Sequence, residues 1–168
     1  IISTAASNHW RKSSRPAALT SPAFQDNPLL HLTAFDAEDL GVISAQMQDA
    51  VIRFADVSYL KRQRRFAFVA NRFAWDALPE RQRRRTGVSI NDVTRVQRQG
   101  PQGLGDLTVL SLLALSFAPA GGEDNPGGTI TMTFSGGHVI ALEVACIDVS
   151  LDDLGPAWST EKTPEHGA

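Results

Sequence analysis

The longest uncharged run among the strand-like stretches, Leu107 to Phe117 (LTVLSLLALSF), has apolar residues at both parities and only Thr108, Ser111 and Ser116 as polar interruptions. A strand with that pattern has both faces covered and belongs inside a sheet rather than at its edge. A buried helix is the competing reading. Pro119 and the Gly121-Gly122 pair end the run well short of the roughly 20 residues that a membrane span needs. Farther on, Ile130, Met132 and Phe134 alternate, Ser135-Gly136-Gly137 turns, and Ile140, Leu142, Val144 and Cys146 alternate again. That pattern predicts a β-hairpin.

Upstream, Leu29 to Phe35 reads as a short strand running into Asp36, whose carboxylate suits a helix N-cap, with Glu38 and Asp39 at the positive end of the dipole. Leu40, Ile43, Met47 and Ala50 recur at steps of three and four, so the spacing predicts one N-terminal amphipathic helix over about 36–50. Val51 to Leu60 and Arg65 to Phe73 read as two strands joined by the charged turn Lys61 to Arg64, a link too short for a parallel crossover. Between Pro79 and Arg85 the pattern leaves helix and loop open. Thr86 to Ile90 and Val93 to Arg98 resume strand alternation around Asn91-Asp92, a turn or a bulge. Gly100, Pro101, Gly103 and Gly105 then form a loop. Asp152 to Leu154, followed by Gly155-Pro156, reads as a helical turn with Trp158 folded back on the body.

Strands in a run with one or two helices indicate an α+β fold, a mostly antiparallel β-sheet or partly open barrel. The order of elements from Val51 to Trp158 is similar to a pleckstrin-homology-like barrel, an analogy of topology that carries no ligand with it. With 168 residues, 42% hydrophobic and 20% charged, the chain suits a single domain over 29–158. Such a domain buries on the order of 70% of its unfolded surface. Residues 1–28 contain Pro16, Pro22 and Pro28 without apolar periodicity and are expected to be a flexible tail, as are 159–168. Arg11, Lys12 and Arg15 beside Trp10 lack the sustained amphipathic helix of a targeting peptide. The single Cys146 rules out an internal disulfide, and a cytoplasmic setting follows as the expectation.

Net charge of -2 conceals a segregation along the chain. Residues 61–98 carry eleven Lys or Arg against Asp76, Glu80 and Asp92, whereas 99–168 carry nine Asp or Glu against Lys162 alone. Arg62, Arg64, Arg65, Arg83, Arg84 and Arg85 are therefore the candidate binding residues for an anionic partner, within a basic strip over 61–85 that also holds Arg81. Phe66, Phe73 and Trp75 lie close in sequence, and guanidinium groups beside aromatics are what single-stranded nucleic acid binding uses. The opposing reading lays the acidic half of the chain against this basic half, where surface pairs contribute only about 0–1 kcal/mol each.

Other constellations carry less. His9, His31, His138 and His166 are too scattered to predict a metal site. Ser135-Gly-Gly-His138 has turn spacing, and no Gly-x-Ser-x-Gly elbow occurs, so no catalytic residue is assigned. Cys146 shares the parity of Ile140 and Leu142 and reads as a small buried apolar residue. Gly100 to Gly105 precedes a strand and lacks the lysine of a phosphate loop. Asp148, Asp152 and Asp153 are explained by capping. Neither metal nor cofactor is expected.

Three segments, TAFDAEDLGVISAQMQDAV, RRFAFVANRFAWD and CIDVSLDDLGPAW, spread from Thr33 to Trp158, together resemble a family of short alphaproteobacterial proteins classed as a domain of unknown function. The resemblance covers about residues 29–160 and implies a bacterial cytoplasmic setting; it brings no activity or site residues. From the residues themselves, the first expectation is a small non-catalytic binding or adaptor module that uses the Arg-rich strip. An enzyme holding a phosphate- or carboxylate-bearing substrate, single-stranded nucleic-acid binding, and homodimer assembly through an uncovered strand edge are the alternatives.

Overall fold

The computed structural model describes residues 29–155 and 158–159. The tails expected at 1–28 and 159–168 lie outside the described residues, except Ser159, which pairs with Gln82. Helix α1, Ala37–Met47, starts where its sequence predicts: Asp36 is extended, and its carboxylate accepts from the Asp39 amide at 2.8 Å. Leu40, Ile43 and Met47 are fully buried. The helix stops three residues early, because Asp49 adopts a left-handed conformation (φ 62°) and its amide donates to the Leu112 carbonyl at 2.8 Å. Asp tolerates that region better than most residues. Ala50 is buried as its position in the stripe implies, but as the first residue of a strand.

Eleven strands form one sheet. They are β1 (His31–Ala34), β2 (Ala50–Arg53), β3 (Val57–Leu60), β4 (Arg65–Phe73), β5 (Gln82–Ile90), β6 (Val93–Gln99), β7 (Val109–Pro119), β8 (Gly128–Phe134), β9 (Val139–Val144), β10 (Val149–Asp153) and β11 (Trp158–Ser159). The order is β1-β10-β5-β4-β2-β7-β8-β9-β6, an open path, with β3 added to β4 and β11 to β5. Every pairing is antiparallel. The fold is thus mostly antiparallel sheet with one helix, as the alternation implied. Among the described residues, no helix is long and apolar enough to cross a membrane.

One hydrophobic cluster joins the helix stripe to the inner parity of the strands: Phe66 and Phe68 of β4, Val88 and Ile90 of β5, Leu112 and Leu115 of β7, and Leu142 of β9. The helix is anchored on β7, where the Leu115 amide donates to Ser44 Oγ at 2.9 Å. Hairpin β8–β9 turns at Ser135–Gly137, as its sequence predicts. Its first residue is sterically demanding. A Cβ on Gly128 would lie 2.3 Å from the Ala118 carbonyl and 2.6 Å from the Phe117 ring. Gly128→Ala should therefore destabilise the fold by about 1–3 kcal/mol, seen as a lower urea midpoint at unchanged m-value.

The structure departs from the sequence reading in four places. Of the run Leu107 to Phe117, the part from Val109 is a strand interior to the sheet, but its outer face is open, with Val109 and Leu113 exposed, and Leu107 lies exposed in the turn before it. Leu113 faces outward with the parity of Val109, and the register shift between Leu112 and Ala114 lets Leu115 turn inward after it. Val51 to Leu60 is not one strand. A 3-10 turn at Phe54–Asp56 divides it, so that β2 bridges β4 and β7 while β3 pairs with β4 alone. The undecided link before Arg85 is largely strand, since β5 begins at Gln82. The helical turn expected at Asp152 to Leu154 is instead the end of β10, held between β1 and β5.

Candidate functional site

The six arginines singled out in the sequence do not form one strip. Arg62 and Arg64 stand on the 3-10 turn after β3 and the left-handed residue that closes it. Arg62 is exposed, and Arg64 lies 3.9 Å from Asp92. Arg65 opens β4, and its Nε donates to Asn91 Oδ1 at 3.1 Å. The other three lie on β5 at the far end of β4, where Phe73, Arg72 and Asn71 pair with Arg83, Arg84 and Arg85. Six residues of strand, about 20 Å, separate Arg65 from Asn71.

Strand parity then separates the β5 arginines. Arg84 shares the inner face with Thr86, Val88 and Ile90 and is 1% exposed, which removes it from any surface strip. Arg72 of β4, buried to 0%, sits directly opposite. Asp153, at the end of β10, reconciles them with the interior. Its carboxylate accepts from Arg72 Nε at 2.8 Å, Arg72 NH2 at 2.7 Å, Thr86 Oγ1 at 2.7 Å and the Leu30 amide at 2.8 Å, with Arg84 Nε at 3.9 Å. Asp76 adds a second carboxylate to Arg72 at 3.0 Å. Burial alone would raise the Asp153 carboxyl, but the hydrogen bonds from Arg72, the Leu30 amide and Thr86 outweigh it and hold the group below the usual aspartate range. Arg72 likewise is pulled down by burial and carried above its ordinary value by Asp153 and Asp76. Arg83, half-buried against Phe73, donates to the Asn71 carbonyl at 3.2 Å, and burial lowers its pKa against the opposing charge of Asp49.

This arrangement accounts for part of the charge segregation. Basic β5 lies beside acidic β10, and Arg95 of β6 faces Glu143 of β9 at 4.0 Å. Of the aromatics near the arginines, Phe66 is 2% exposed within the core, while Phe73, 0% exposed, is covered by Trp75 and Arg83.

The outer parity of β3, β4, β5 and β10 carries a different surface. Ser58, Ala67, Ser89 and Ser150 stand in register across the four strands, and Val69, Gly87 and Asp152 form the next row. Side chains this small leave a trough of about 480 Å³, rimmed by Leu60 and Leu154 and reached by Arg65 at one end. At the other end it adjoins a polar recess of about 310 Å³ containing Arg85, Asn71 and Arg53. Arg53 is paired with Asp56 at 3.0 Å, and Asp152 with His31. Among the described residues, neither Arg65 nor Arg85 pairs with a carboxylate. Arg53 and Asn71 were not singled out in the sequence. The β4–β5 register sets Asn71 opposite Arg85, and the pairing of β2 with β4, Val51 against Asn71, brings Arg53 beside them.

The remaining sequence candidates resolve as structural parts. Ser135 Oγ accepts from the Ser111 amide at 3.1 Å. Cys146 is not in the core: it lies past the end of β9, half-buried, with Sγ 3.4 Å from Asp92 Oδ2, and burial followed by the carboxylate pushes its thiol pKa up. A raised thiol is a poor nucleophile. No group of three or more His, Cys, Asp or Glu among the described residues is placed to hold a metal ion. The groups whose ionisation the fold shifts, Arg72, Arg83, Cys146 and Asp153, do not line the trough.

Comparison with curated proteins and with solved structures finds no match for the chain. A family model matches residues 30–166, and the chain belongs to the family described as protein of unknown function (DUF2948).

Proposed function

We propose that this protein is a non-catalytic binding module that takes an extended acidic segment of a partner protein along the trough on the outer face of β3, β4, β5 and β10. One observation carries the reading: Arg65 and Arg85 stand at the two ends of a small-floored trough, about 20 Å apart, without carboxylate partners. An extended peptide of about six residues spans that length at ~3.3 Å per residue, and charge at its ends meets the two guanidinium groups. The floor of Ala67, Gly87, Ser89 and Ser150 offers no aromatic face on which a base could stack, which favours peptide over single-stranded nucleic acid. The bacterial cytoplasmic setting belongs to the proposal and rests on the resemblance of the three segments. So does the comparison of the curved antiparallel sheet with a pleckstrin-homology-like barrel, which rests on the order of strands.

The test is fluorescence anisotropy of a labelled Glu-rich peptide, its Gln counterpart and a random single-stranded RNA against the whole chain. The Glu peptide should bind, and Arg65→Ala and Arg85→Ala should each weaken it by about two- to fivefold, the range of exposed ion pairs. Ser89→Phe, which fills the floor, should reduce it further. Equal binding of the Gln peptide, or RNA binding indifferent to both arginine variants, would overturn the assignment.

A further inference from the structure

A second cavity, on other strands and independent of the trough, is built for an anion. Val96 and Arg98 of β6 pair with Leu142 and Ile140 of β9, both buried, so Arg98 has the inward parity of its strand, but at the strand's end it is itself exposed. Arg98 lies over the Phe54 ring, 4.9 Å from its centroid, and forms no ion pair with a carboxylate among the described residues. Cation-π contact leaves the N–H donors at the edge of the group available.

The loop that follows closes over it. Gly100 has φ 133°, and a Cβ there would lie 2.8 Å from the Gly137 carbonyl and 3.0 Å from His138 Nδ1. Only glycine lets the loop approach the β8–β9 turn so closely. Between loop and turn is a cavity of about 380 Å³ lined by Arg98, Gln99, Gln102 and His138, with no Asp or Glu in its wall. His138 Nδ1 is buried there without a hydrogen-bond partner, a costly state for a polar atom. An apolar recess of about 10 Å³, lined by Ile52, Leu110, Phe134 and Ile140, opens beneath Arg98 and His138.

We propose that this cavity binds a small oxyanion, a carboxylate or a phosphate, held by the Arg98 guanidinium, an imidazole N–H of His138 and the side-chain amides of Gln99 and Gln102. The donor set is wholly cationic or neutral, and a guanidinium fork matches either oxyanion.

The experiment is an NMR titration of the whole chain, following the His138 ring nitrogens and, in every variant, the backbone amides of Gly100, Gln102 and Gly103, with sodium phosphate and sodium propionate as separate probes at constant ionic strength. Propionate presents a carboxylate, and phosphate a phosphoryl oxyanion, to the same polar cavity. A saturable shift of the His138 nitrogens with either probe supports the site, and the tighter probe identifies the source. Arg98→Met, which keeps an apolar stem over Phe54, should weaken that binding by about tenfold. His138→Phe should also weaken it, while Arg85→Ala leaves it unchanged. Shifts that stay linear with both probes would overturn the proposal. So would undiminished binding in either Arg98→Met or His138→Phe with its backbone spectrum intact. Because Arg85 belongs only to the trough, failure here and failure of the peptide-binding reading are separable.

Discussion

Replacing Asp153 with alanine is expected to cost about 3–5 kcal/mol, the largest loss from any single polar substitution in this chain. All four acceptor positions of the carboxylate are used, by two bonds from Arg72, one from Thr86 and one from the Leu30 amide. Its removal leaves the buried Arg72 with Asp76 as its remaining carboxylate, and removes the bond from the Leu30 amide to the end of β10. Thermal or urea unfolding measures the loss. Asp153→Leu combined with Arg72→Met should be less damaging than the sum of the two, because the buried Arg72 charge is removed together with the carboxylate that holds it. The network also fixes a pH dependence. The folded pKa of Asp153 lies below its unfolded value of about 3.9, so its contribution is fully present above that value. It is lost as the pH falls from there through the folded pKa. Stability measured from neutral pH down to about pH 3 should fall more steeply in the wild type than in the Asp153→Leu, Arg72→Met double variant.

Ile43→Ala is expected to cost about 2–5 kcal/mol. Ile43 is 0% exposed between Leu40 and Met47, and the helix it belongs to is the only α-helix among the described residues, packed on β7. Truncation there opens a cavity in the one cluster that both parts share. Relaxation of the helix toward the gap is opposed by the bond between Ser44 Oγ and the Leu115 amide. Val42, on the same helix and 50% exposed, supplies the control: its alanine variant should stay within about 0.5 kcal/mol of the wild type. Urea midpoints of the two variants make the comparison.

Local chemistry was legible from the residues. Asp36 capping α1, the stripe Leu40, Ile43 and Met47, the limits of β4 and the β8–β9 hairpin all follow from contacts within a few residues. Where the reading failed, the deciding contact was distant. Asp152 to Leu154 has the acids of a helix start, yet Leu30, Arg72 and Thr86 hold Asp153 in a strand across separations of 123, 81 and 67 residues. Leu115 has the parity of exposed Val109 and Leu113, and only a shift in pairing with β8 turns it into the core.

The candidate sites divide along the same line. Segregated charge and a cluster of arginines are properties of the chain, and an anion-binding module could be argued from them. Which arginines face outward depends on strand parity and neighbours: Arg84 went to the interior opposite Arg72, while Arg65 and Arg85 came to the ends of one trough. The trough itself exists because Ser58, Ala67, Ser89 and Ser150 meet in register from four separate strands. The sequence by itself determined the elements, their caps and their inward stripes, because those rest on backbone periodicity and local hydrogen bonds. Tertiary structure alone decided which side chains share a surface, because register and pairing join residues that no local interaction connects.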